Sequence, residues 1–446
     1  MPMPNQNKVT VVGLGKTGFS CVEFLVRQGI PVAVTDSRSN PPYLAELQSK
    51  YPEVIHKLGV FDSDLLLSAE KILLSPGISL EEPAIEEAIK KGIPVIGDVE
   101  FFAQHVNAPV IAITGTNGKS TVTALVGEMV RASGLKAQVG GNLGTPALDL
   151  LQKVPPDFYV LELSSFQLET IESLRPKTAT ILNITPDHLD RYPSIKEYAE
   201  AKHRIYHHAE WDIYNRDDLQ TKPKENHKSI SFGFSEPKEK ELGIRIQSGI
   251  PYLAYGNKNL LPVTEMILKG KHNWANALAA IGLGLKAGIS EDGIIKALKS
   301  FPGLSHRCQW IRELNGVQWV NDSKGTNVVA SCAAINGLSE TVKGKIILIA
   351  GGLSKEDDFS DLANAVEKYG RAVVLIGRDA EKIAAGLKPE TQKQFAKTME
   401  EAINISKDLA KPGDIVLLSP VCASFDMFRD YQHRGDVFTQ LVQGLK

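Results

Sequence analysis

The stretch "IAITGTNGKST" (111–121) joins an apolar run to a glycine-containing loop that ends in a lysine and two hydroxyl residues. A loop of this kind between a strand and a helix binds phosphates, because its backbone N–H groups and the helix dipole point at the anion. Lys119 would then reach the outer phosphates, and Ser120 would hold Mg²⁺. Ile113 stands where the strict motif has its first glycine, and a turn that only caps a helix is the alternative. We predict that ATP is bound by Gly115, Thr116, Asn117, Gly118, Lys119, Ser120 and Thr121.

In chain order, the first glycine loop lies in "VTVVGLGKTGFS" (9–20), and the loop described above is the second. Gly13 would allow a tight turn, Gly15 would admit a diphosphate, and Gly18 would let the helix pack on the strand. Asp36 ends the next apolar run, "VAVTD", where a ribose hydroxyl would be read. This fingerprint places a diphosphate on a helix N-terminus without naming the nucleotide, so an NAD-dependent oxidoreductase is one interpretation.

Oxygen and imidazole groups follow two further apolar runs. Glu162 in "LELSS" ends a predicted strand at a position where a carboxylate has no packing reason to be. With Ser120 it forms the type of oxygen pair that binds magnesium beside a phosphate loop. Asp187 and His188 of "PDHLDR" follow the next run, and they too would emerge at the carboxyl edge of the sheet, where open α/β sheets bind ligands.

The elements that must position these residues are short β-branched runs that alternate with helical patterns, which indicates parallel sheets covered by helices. The chain of 446 residues is too long for one core. We predict three doubly wound α/β domains: a Rossmann-like domain (1–97), a P-loop mononucleotide-binding domain (98–302) and a second Rossmann-like domain (303–446). Alternation with a period near two over 223–263 predicts an antiparallel meander appended to the central domain.

Composition narrows the class of protein. The 50 basic and 52 acidic residues are spread without a basic stripe, which disfavours nucleic acid as a partner. The four cysteines lie far apart and form neither a disulfide framework nor a CxxC pair. No run is long and apolar enough to cross a bilayer, and "MPMPNQNK" has no apolar signal core. We expect a monomeric enzyme of the cytoplasm.

Ordered motifs along the whole chain resemble those of the Mur ligases, ATP-dependent enzymes that add amino acids to the peptidoglycan precursor. They are "GLGKTG", "SPGIS", "GDVEFF", "GTNGKST", "GGNLG", "LELSSFQLE", "ILNITPDHLDRY", "AKHRIY", "GKHNWANALAA", "GLSHR", "NDSKGTN", "GGLSKEDDF" and "LLSPVCASFD". "GDVEFF", the asparagine of the ATP loop and "LLSPVCASFD" are most similar to the branch that adds D-glutamate. The resemblance implies that D-glutamate is joined to UDP-N-acetylmuramoyl-L-alanine, through an acyl phosphate and with release of ADP and phosphate.

For the first domain, the resemblance implies that the glycine loop holds the pyrophosphate of a UDP-sugar and not that of NAD. The alternative to UDP-sugar binding is that Asp36 only caps a turn and that Arg38 is a solvated charge. The turn "SPG" follows another apolar run near the same crevice. The matching positions are Gly13, Leu14, Gly15, Lys16, Thr17, Gly18, Asp36, Ser37, Arg38, Ser75, Gly77, Asn142 and Ser164.

For the central domain, the resemblance implies two magnesium sites and a modified lysine. Lys202 lies in a helical pattern that by default would make it an exposed, salt-bridging lysine. In the family the matching lysine is carbamylated by CO₂, which turns a cation into a carboxylate near the metals; this requires a neutral amine, which neighbouring Mg²⁺ would promote. The implied metal ligands are Ser120, Glu162, His188 and Lys202, and the implied catalytic residues are Lys119, Glu162, His188 and Lys202.

Further contacts are implied around the predicted linker "PGLSHR" (302–307). Arg307 would reach the ATP phosphates when the third domain closes. The implied ATP contacts outside the loop are Asn276, Arg307, Asp322 and Lys324. D-glutamate carries two carboxylates and needs a cation with several donors. Its implied contacts are Thr326, Lys355, Ser424 and Tyr431.

Three alternatives remain at this point. Another amide ligase, adding L-alanine to the sugar or glutamate to a folate, would use the same chemistry, although the folate enzymes lack a UDP-binding first domain. An NAD-dependent oxidoreductase with an accessory NTPase domain leaves "LELSS", "PDHLDR" and "AKHRIY" unexplained. A noncatalytic nucleotide sensor would not need Lys119, Glu162 and His188.

Overall fold

The computed structural model describes residues 9–188, 191–224, 228–268, 270–339, 343–354 and 357–446. Within these ranges the strands form three sheets. The chain divides into two compact units, one of Met1–Pro262 with Asn276–Leu298 and one of Val263–Ala275 with Lys299–Lys446. The first unit contains two of the sheets and the second unit contains the third.

The first sheet is parallel throughout, and its buried strands explain the apolar runs of the N-terminal sequence. Its strands are β1 (Val9–Val12), β2 (Val32–Asp36), β3 (Ile55–Leu58), β4 (Lys71–Leu74) and β5 (Val95–Gly97). Its helices are α1 (Lys16–Arg27), α2 (Leu44–Lys50), α3 (Ser63–Leu67), α4 (Pro83–Lys90) and α5 (Asp98–Ala103). The strand order β3-β2-β1-β4-β5 changes direction between β1 and β4, which creates a ligand-binding crevice at their carboxyl ends.

The second sheet follows the order β14-β13-β12-β11-β10-β9-β6-β8-β7. Its strands are β6 (Val110–Thr114), β7 (Ala137–Gly141), β8 (Phe158–Glu162), β9 (Thr178–Ile181), β10 (Trp211–Asn215), β11 (Ser229–Phe232), β12 (Leu242–Gln247), β13 (Ile250–Tyr255) and β14 (Lys258–Pro262). The helices that follow its strands are α6 (Lys119–Ala132), α7 (Ser165–Leu168), α8 (Ile195–His203), α9 (Lys271–Ala287) and α10 (Glu291–Ser300). Because β6 lies between β8 and β9, the loops after these three strands are neighbours.

The predicted meander is correct for β12, β13 and β14, which are antiparallel. It is wrong for β11, which pairs in parallel with β10. A parallel pair needs a crossover of about a dozen residues, and the segment between β10 and β11 provides that length. The period of two that motivated the prediction reports a half-buried strand and carries no information on strand direction.

The third sheet has the order β15-β16-β20-β17-β18-β19, with only the edge strand β15 antiparallel to its neighbour among the described strands. Its strands are β15 (Gln309–Leu314), β16 (Val317–Asn321), β17 (Ile346–Gly351), β18 (Gly370–Ile376), β19 (Lys393–Phe395) and β20 (Ile415–Leu418). Its helices are α11 (Val328–Ser339), α12 (Ser360–Tyr369), α13 (Ala380–Gly386), α14 (Met399–Leu409) and α15 (Tyr431–Gly444).

Alternate residues of the central strands of this third sheet pack in two hydrophobic cores, one on each face of the sheet. Leu348 of β17 packs in one apolar cluster, whereas its neighbours Ile347 and Ile349 pack in the cluster on the other face. Helices therefore cover both faces of the sheet, as a doubly wound fold requires. The predicted class, three α/β domains with mostly parallel sheets, is confirmed, while the domain boundaries at 97/98 and 302/303 stay predictions. In the described part of the chain, no helix is both long enough and apolar enough to span a membrane.

Candidate active site

The first glycine loop lies at the switch point between β1 and β4, and its three glycines have three different reasons to be glycine. Gly13 has a φ of +91°, which only glycine adopts without strain. A Cβ on Gly18 would lie 1.8 Å from the carbonyl oxygen of Gly13, so α1 packs against the loop only without a side chain. A Cβ on Gly15 would meet nothing within 4 Å. The protein itself thus leaves open space at Gly15, on the side where a diphosphate would approach.

Asp36 holds this loop in place. Its carboxylate is 1% exposed and accepts hydrogen bonds from the Leu14 backbone N–H at 2.7 Å and from the Arg38 guanidinium at 2.6 and 2.8 Å. Burial alone would raise the pKa of Asp36, but the bonds from Arg38 and Leu14 outweigh it and lower that pKa. Asp36 therefore positions the glycine loop, and a contact of Asp36 or of the exposed Ser37 with uracil or ribose stays a prediction.

Several other residues predicted for the UDP-sugar lie at or close to this loop. The Ser75 hydroxyl donates to the Gly13 carbonyl at 3.1 Å, which places the turn that ends at Gly77 beside it. Thr17 lies in the first turn of α1, and Lys16 Nζ donates to the Gly144 carbonyl of the second sheet at 2.7 Å. That loop of the second sheet also carries Asn142.

The predicted ATP loop joins β6 to α6 and has the backbone of a phosphate-binding turn. Gly118 is the N-cap of α6 with a φ of +83°, and no side chain caps the helix. The carboxamide oxygen of Asn276 faces it, because a Cβ on Gly118 would lie 2.5 Å from that atom. Asn183, after β9, clamps the loop by accepting from the Thr116 N–H at 3.0 Å and, through its side chain, from the Asn117 N–H at 2.8 Å. Asn183 was not singled out from the sequence, although its place directly after a strand was a usable signal.

Two lysines converge on the carbonyl groups of this loop. Lys119 Nζ donates to the carbonyls of Gly115 and Thr116 at 2.9 and 2.8 Å. Lys202 Nζ, from the last turn of α8, donates to the same Gly115 carbonyl at 3.0 Å. Both side-chain nitrogens therefore lie against the backbone of the predicted ATP loop.

Lys202 is not the exposed lysine that its helical pattern indicated by default. It is 1% exposed, and its Nζ lies 4.4 Å from the centre of the Tyr198 ring. Burial and the neighbouring Lys119 lower the pKa of Lys202 to about 7, although Asp187 and Glu162 act in the opposite direction. Burial therefore favours the neutral form of this amine.

Glu162 ends β8 beside this loop, and its two carboxylate oxygens have different surroundings. Oε1 accepts from the Asn142 side chain at 2.7 Å, whereas buried Oε2 finds no hydrogen-bond partner among the described residues. Ser120, which is 7% exposed, lies at the start of α6. A buried carboxylate oxygen without a donor is costly unless a cation binds it, so Glu162 and Ser120 fit a magnesium site.

His188 lies on the loop after β9, as predicted, with a φ of +53°. Its ring packs 4.8 Å from Phe166, and its Nε2 lies 3.5 Å from Asp187 Oδ2. No group of three or more His, Cys, Asp and Glu side chains in the described ranges is arranged as a metal site. Lys202 would provide a carboxylate beside His188 only after carbamylation. The second predicted magnesium site therefore stays a prediction.

The third sheet gathers its predicted residues at one edge, because β16, β20 and β17 are neighbours. Asp322 follows β16, and its carboxylate accepts from the Ser419 hydroxyl at 2.7 Å and the Cys308 N–H at 3.1 Å. Burial raises the pKa of Asp322 to about 6. Lys324 Nζ lies 5.2 Å from the centre of the Tyr431 ring. Thr326 and the buried Ser424 lie on the adjoining loops, Arg307 directly precedes Cys308, and Lys355 is outside the described residues.

Arg434 is a residue of this edge that sequence reasoning missed. It is 1% exposed and donates to the Ser323 hydroxyl and carbonyl at 3.0 and 2.9 Å and to the Cys422 carbonyl at 3.1 Å. Burial lowers its pKa to about 10. Its guanidinium therefore joins the loop after β16 to the loop after β20, which no periodicity or spacing in the sequence indicates.

Family models match the chain in three places. They are the Mur ligase MurD-like N-terminal domain over residues 7–97, the Mur ligase middle domain over 113–284, and the Mur ligase glutamate ligase domain over 306–422. The chain belongs to the Mur ligase family. Among curated Mur ligases, the UDP-N-acetylmuramoylalanine--D-glutamate ligase of Legionella pneumophila (strain Paris) is 49% identical over 446 residues, which are 99% of this chain and 100% of that protein. The enzyme of the same name from Pseudomonas syringae pv. tomato is 50% identical over 437 residues, 98% of this chain and 97% of that protein.

Solved Mur ligase structures share the fold. The UDP-N-acetylmuramate-alanine ligase MurC of Thermotoga maritima has a TM-score of 0.60 at 18% identity, covering 99% of this chain and 100% of that chain. The MurF ligase of T. maritima, in complex with ADP, has a TM-score of 0.57 at 18% identity, covering 98% and 95%. Membership of the Mur ligase family removes the oxidoreductase and the noncatalytic sensor from consideration.

Proposed function

We propose that this Mur ligase joins D-glutamate to UDP-N-acetylmuramoyl-L-alanine at the expense of ATP, releasing ADP and phosphate in peptidoglycan precursor synthesis. Relatives of that name are about half identical over almost the whole chain. The structural observation that carries the proposal is the pair of lysines that donate to the second glycine loop, together with the oxygen of Glu162 that has no hydrogen-bond partner among the described residues. In the described part of the chain no such pair of lysines donates to carbonyl groups of the first glycine loop, which suits binding of a diphosphate without chemistry on it.

The reaction needs a leaving group on a poor electrophile, because a carboxylate does not react with an amine at neutral pH. The substrate carboxylate attacks the γ-phosphorus of ATP, ADP leaves, and an acyl phosphate forms. The amine of D-glutamate then adds to the acyl carbon, loses a proton, and the tetrahedral intermediate expels phosphate. The reactants of the first step are both anions, so positioning and positive charge are what the protein must supply. Lys119 supplies that charge at the loop.

The magnesium ion would be held by Ser120 and Glu162, with His188 for the second ion. When bound, it would neutralise charge on the phosphates. The donor set fits this ion, because the buried Oε2 of Glu162 has no hydrogen-bond partner among the described residues. Asn142 holds the other oxygen of the same carboxylate and so orients it.

We further propose the carbamate on Lys202. The neutral amine attacks CO₂, a nitrogen–carbon bond forms, and one proton is released. Burial of Lys202 and its position beside the ATP loop support this proposal. Infrared or ¹³C NMR spectra recorded with ¹³C-labelled bicarbonate test it: a carbamate signal is expected in the wild type and absent in Lys202→Ala.

The remaining assignments are proposals of the same kind. The UDP-sugar lies at the first glycine loop, and D-glutamate lies at the edge that carries Thr326, Ser424 and Tyr431, with Lys355 as its cation. Arg307, Asp322 and Lys324 contact ATP. A monomeric state and a cytoplasmic location stay predictions from the sequence.

Phosphate release tests the function directly. The purified chain is incubated with ATP and Mg²⁺, and the amino acid is varied among D-glutamate, L-glutamate and L-alanine. Parallel reactions contain UDP-N-acetylmuramoyl-L-alanine, the unextended UDP-sugar or a folate as the acceptor. Release with D-glutamate alone is expected. Release only with L-alanine on the unextended UDP-sugar, or only with a folate acceptor, would keep the ligase chemistry and reject this substrate.

A further inference from the structure

The acidic motif "GDVEFF" takes no part in the sites described above, yet its two carboxylates are deeply buried. Asp98 and Glu100, at the start of α5, are each 3% exposed. Both face the segment of residues 164–173, which begins two residues after Glu162 and contains α7. Buried carboxylates need a structural or functional reason, because removing a charge from water is expensive.

Glu100 holds the far end of this segment. Its carboxylate accepts from the backbone N–H groups of Glu172 and Ser173, both at 2.8 Å, and from the Ser173 hydroxyl at 2.6 Å. Burial alone would raise the pKa of Glu100, but these donors outweigh it and lower that pKa. The turn after α7 is therefore anchored to the first sheet by a fully bonded carboxylate.

Asp98 acts at the near end, through a single amide. Its Oδ2 accepts from Gln167 Nε2 at 3.2 Å. Gln167 Oε1 in turn faces Ser164 and accepts from its backbone N–H at 3.1 Å and its hydroxyl at 3.4 Å. Burial raises the pKa of Asp98 to about 6, and its Oδ1 has no hydrogen-bond partner among the described residues. Above that pH the ionised carboxylate can only accept, whereas an amide has one donating and one accepting end. Asp98 thus selects the orientation of Gln167 that turns an acceptor toward Ser164.

This relay lies beside the predicted UDP-sugar site. Asp98 and Gln167 line one narrow crevice together with Ser75, Pro76 and Ile78, which belong to the loop after β4. In the same crevice, Arg191 donates to Glu169 at 2.7 Å and to the Ile78 carbonyl at 3.4 Å. The segment of residues 164–173 is therefore tied to the first sheet at the crevice as well as at both of its ends.

We propose that Asp98 is a positioning residue for UDP-sugar binding: through Gln167 it orients Ser164, while Glu100 anchors the other end of the same segment. The inference rests on the proposed function, because Ser164 is assigned to the UDP-sugar. Neither Asp98 nor Glu100 forms a hydrogen bond with the ATP loop in the described part of the chain. The Kd of ADP is therefore the reference against which a change in UDP-sugar affinity is judged.

Reversal of the pair tests the relay. Gln167→Glu puts a carboxylate against Asp98 and is expected to raise the Kd of UDP-N-acetylmuramoyl-L-alanine at least about ten-fold, with the Kd of ADP within about two-fold. Asp98→Asn keeps an acceptor oxygen and is the matched control, with a change below about three-fold. The double variant D98N/Q167E restores a donor and an acceptor in reversed order and is expected to return within about three-fold of the wild type. Calorimetry gives both constants, and the Tm of each variant is measured in parallel.

Several results would overturn the relay. Wild-type affinity in Gln167→Glu is one, and a folded D98N/Q167E that binds as weakly as Gln167→Glu is another. If Gln167→Glu does not fold, Asp98→Leu replaces it, since it removes the acceptor at similar volume; unchanged affinity there rejects the proposal. A wild-type protein that binds ADP but no UDP-sugar would reject the proposed function itself, which separates the two failures.

Discussion

The loop after β1 and the loop after β6 have the same local design. Each joins a strand through a glycine turn to a helix whose N-cap is a glycine and has no side-chain cap. At the first loop, the buried carboxylate of Asp36 accepts hydrogen bonds from Leu14 and Arg38. Around the second, the buried carboxylate of Glu162 keeps one oxygen without a donor among the described residues, and Lys119 and Lys202 point into the loop.

Under the proposed function, the difference teaches how one local design would serve binding at the first loop and phosphoryl transfer at the second. Backbone N–H groups and a helix dipole are enough to hold a diphosphate. Transfer of a phosphoryl group needs additional positive charge where negative charge develops. The surrounding side chains, and not the glycines, separate the two functions.

The largest expected effect is on the lysine of the second loop. Lys119→Ala is expected to lower kcat for phosphate release by about 10³-fold, because charge is lost at the transferred phosphate. Its Kd for the UDP-sugar stays within about two-fold in calorimetry, since that ligand uses the other loop. Lys16→Ala, the lysine of the first loop, is expected to raise the KM of the UDP-sugar instead. Loss of UDP-sugar binding in Lys119→Ala would show that the two loops are not separate sites.

The two buried carboxylates offer the next contrast. Glu162→Gln keeps the acceptor for Asn142 and removes the charge, so affinity for Mn²⁺ in the presence of ADP is expected to fall by about 10²-fold. Electron paramagnetic resonance of Mn²⁺ measures this, with Asp36→Asn as the comparison variant. Equal Mn²⁺ affinity in Glu162→Gln and the wild type would reject the metal assignment.

The glycines of the first loop separate packing from ligand access. Gly18→Ala is expected to cost about 3 kcal/mol of unfolding free energy, because its Cβ would meet the Gly13 carbonyl. Gly15→Ala is expected to change stability by less than about 0.5 kcal/mol and to weaken UDP-sugar binding by about ten-fold. Urea unfolding and calorimetry measure the two quantities. A Gly15→Ala protein with native affinity contradicts the approach of a diphosphate there.

The smallest effect is the pH dependence of Asp36. Its pKa is lowered in the folded protein, so its stabilisation is present above the unfolded value of 3.8 and is lost as pH falls through the folded value. Asp36→Asn is expected to be about 1–2 kcal/mol less stable than the wild type at pH 7. In urea titrations that gap should narrow as pH falls below 3.8. A gap that does not depend on pH would mean that ionisation of Asp36 does not stabilise the loop.

Much of the fold followed from the sequence because buried parallel strands read as apolar runs. Strands without such a run are not evident from the pattern: β3 is exposed at alternate positions, and β7, "AQVGG", is rich in glycine. The direction of β11 was also beyond the pattern, since pairing depends on a crossover and not on local periodicity.

The candidate site shows the same division. Glu162 and His188 were expected at the carboxyl edge of one sheet, and in the structure Glu162 ends β8 and His188 follows β9, the two strands on either side of β6. The burial of Lys202 was contrary to the default for its helix, and Asn183 and Arg434 were overlooked. Burial and hydrogen-bond partners of a side chain depend on residues distant in sequence, which spacing does not report.

By itself, the sequence determined the α/β class, the two glycine loops and the strand ends that carry polar groups, because each of these is encoded within about ten neighbouring residues. Only the tertiary structure decided that both carboxylate oxygens of Asp36 accept hydrogen bonds, whereas one oxygen of Glu162 has no donor among the described residues. It also decided that the carboxylates of "GDVEFF" bind a segment some 70 residues away. The hydrogen-bond donors to a buried carboxylate come from other strands and helices. Their number determines whether both of its oxygens are bonded within the protein or one remains available for an ion.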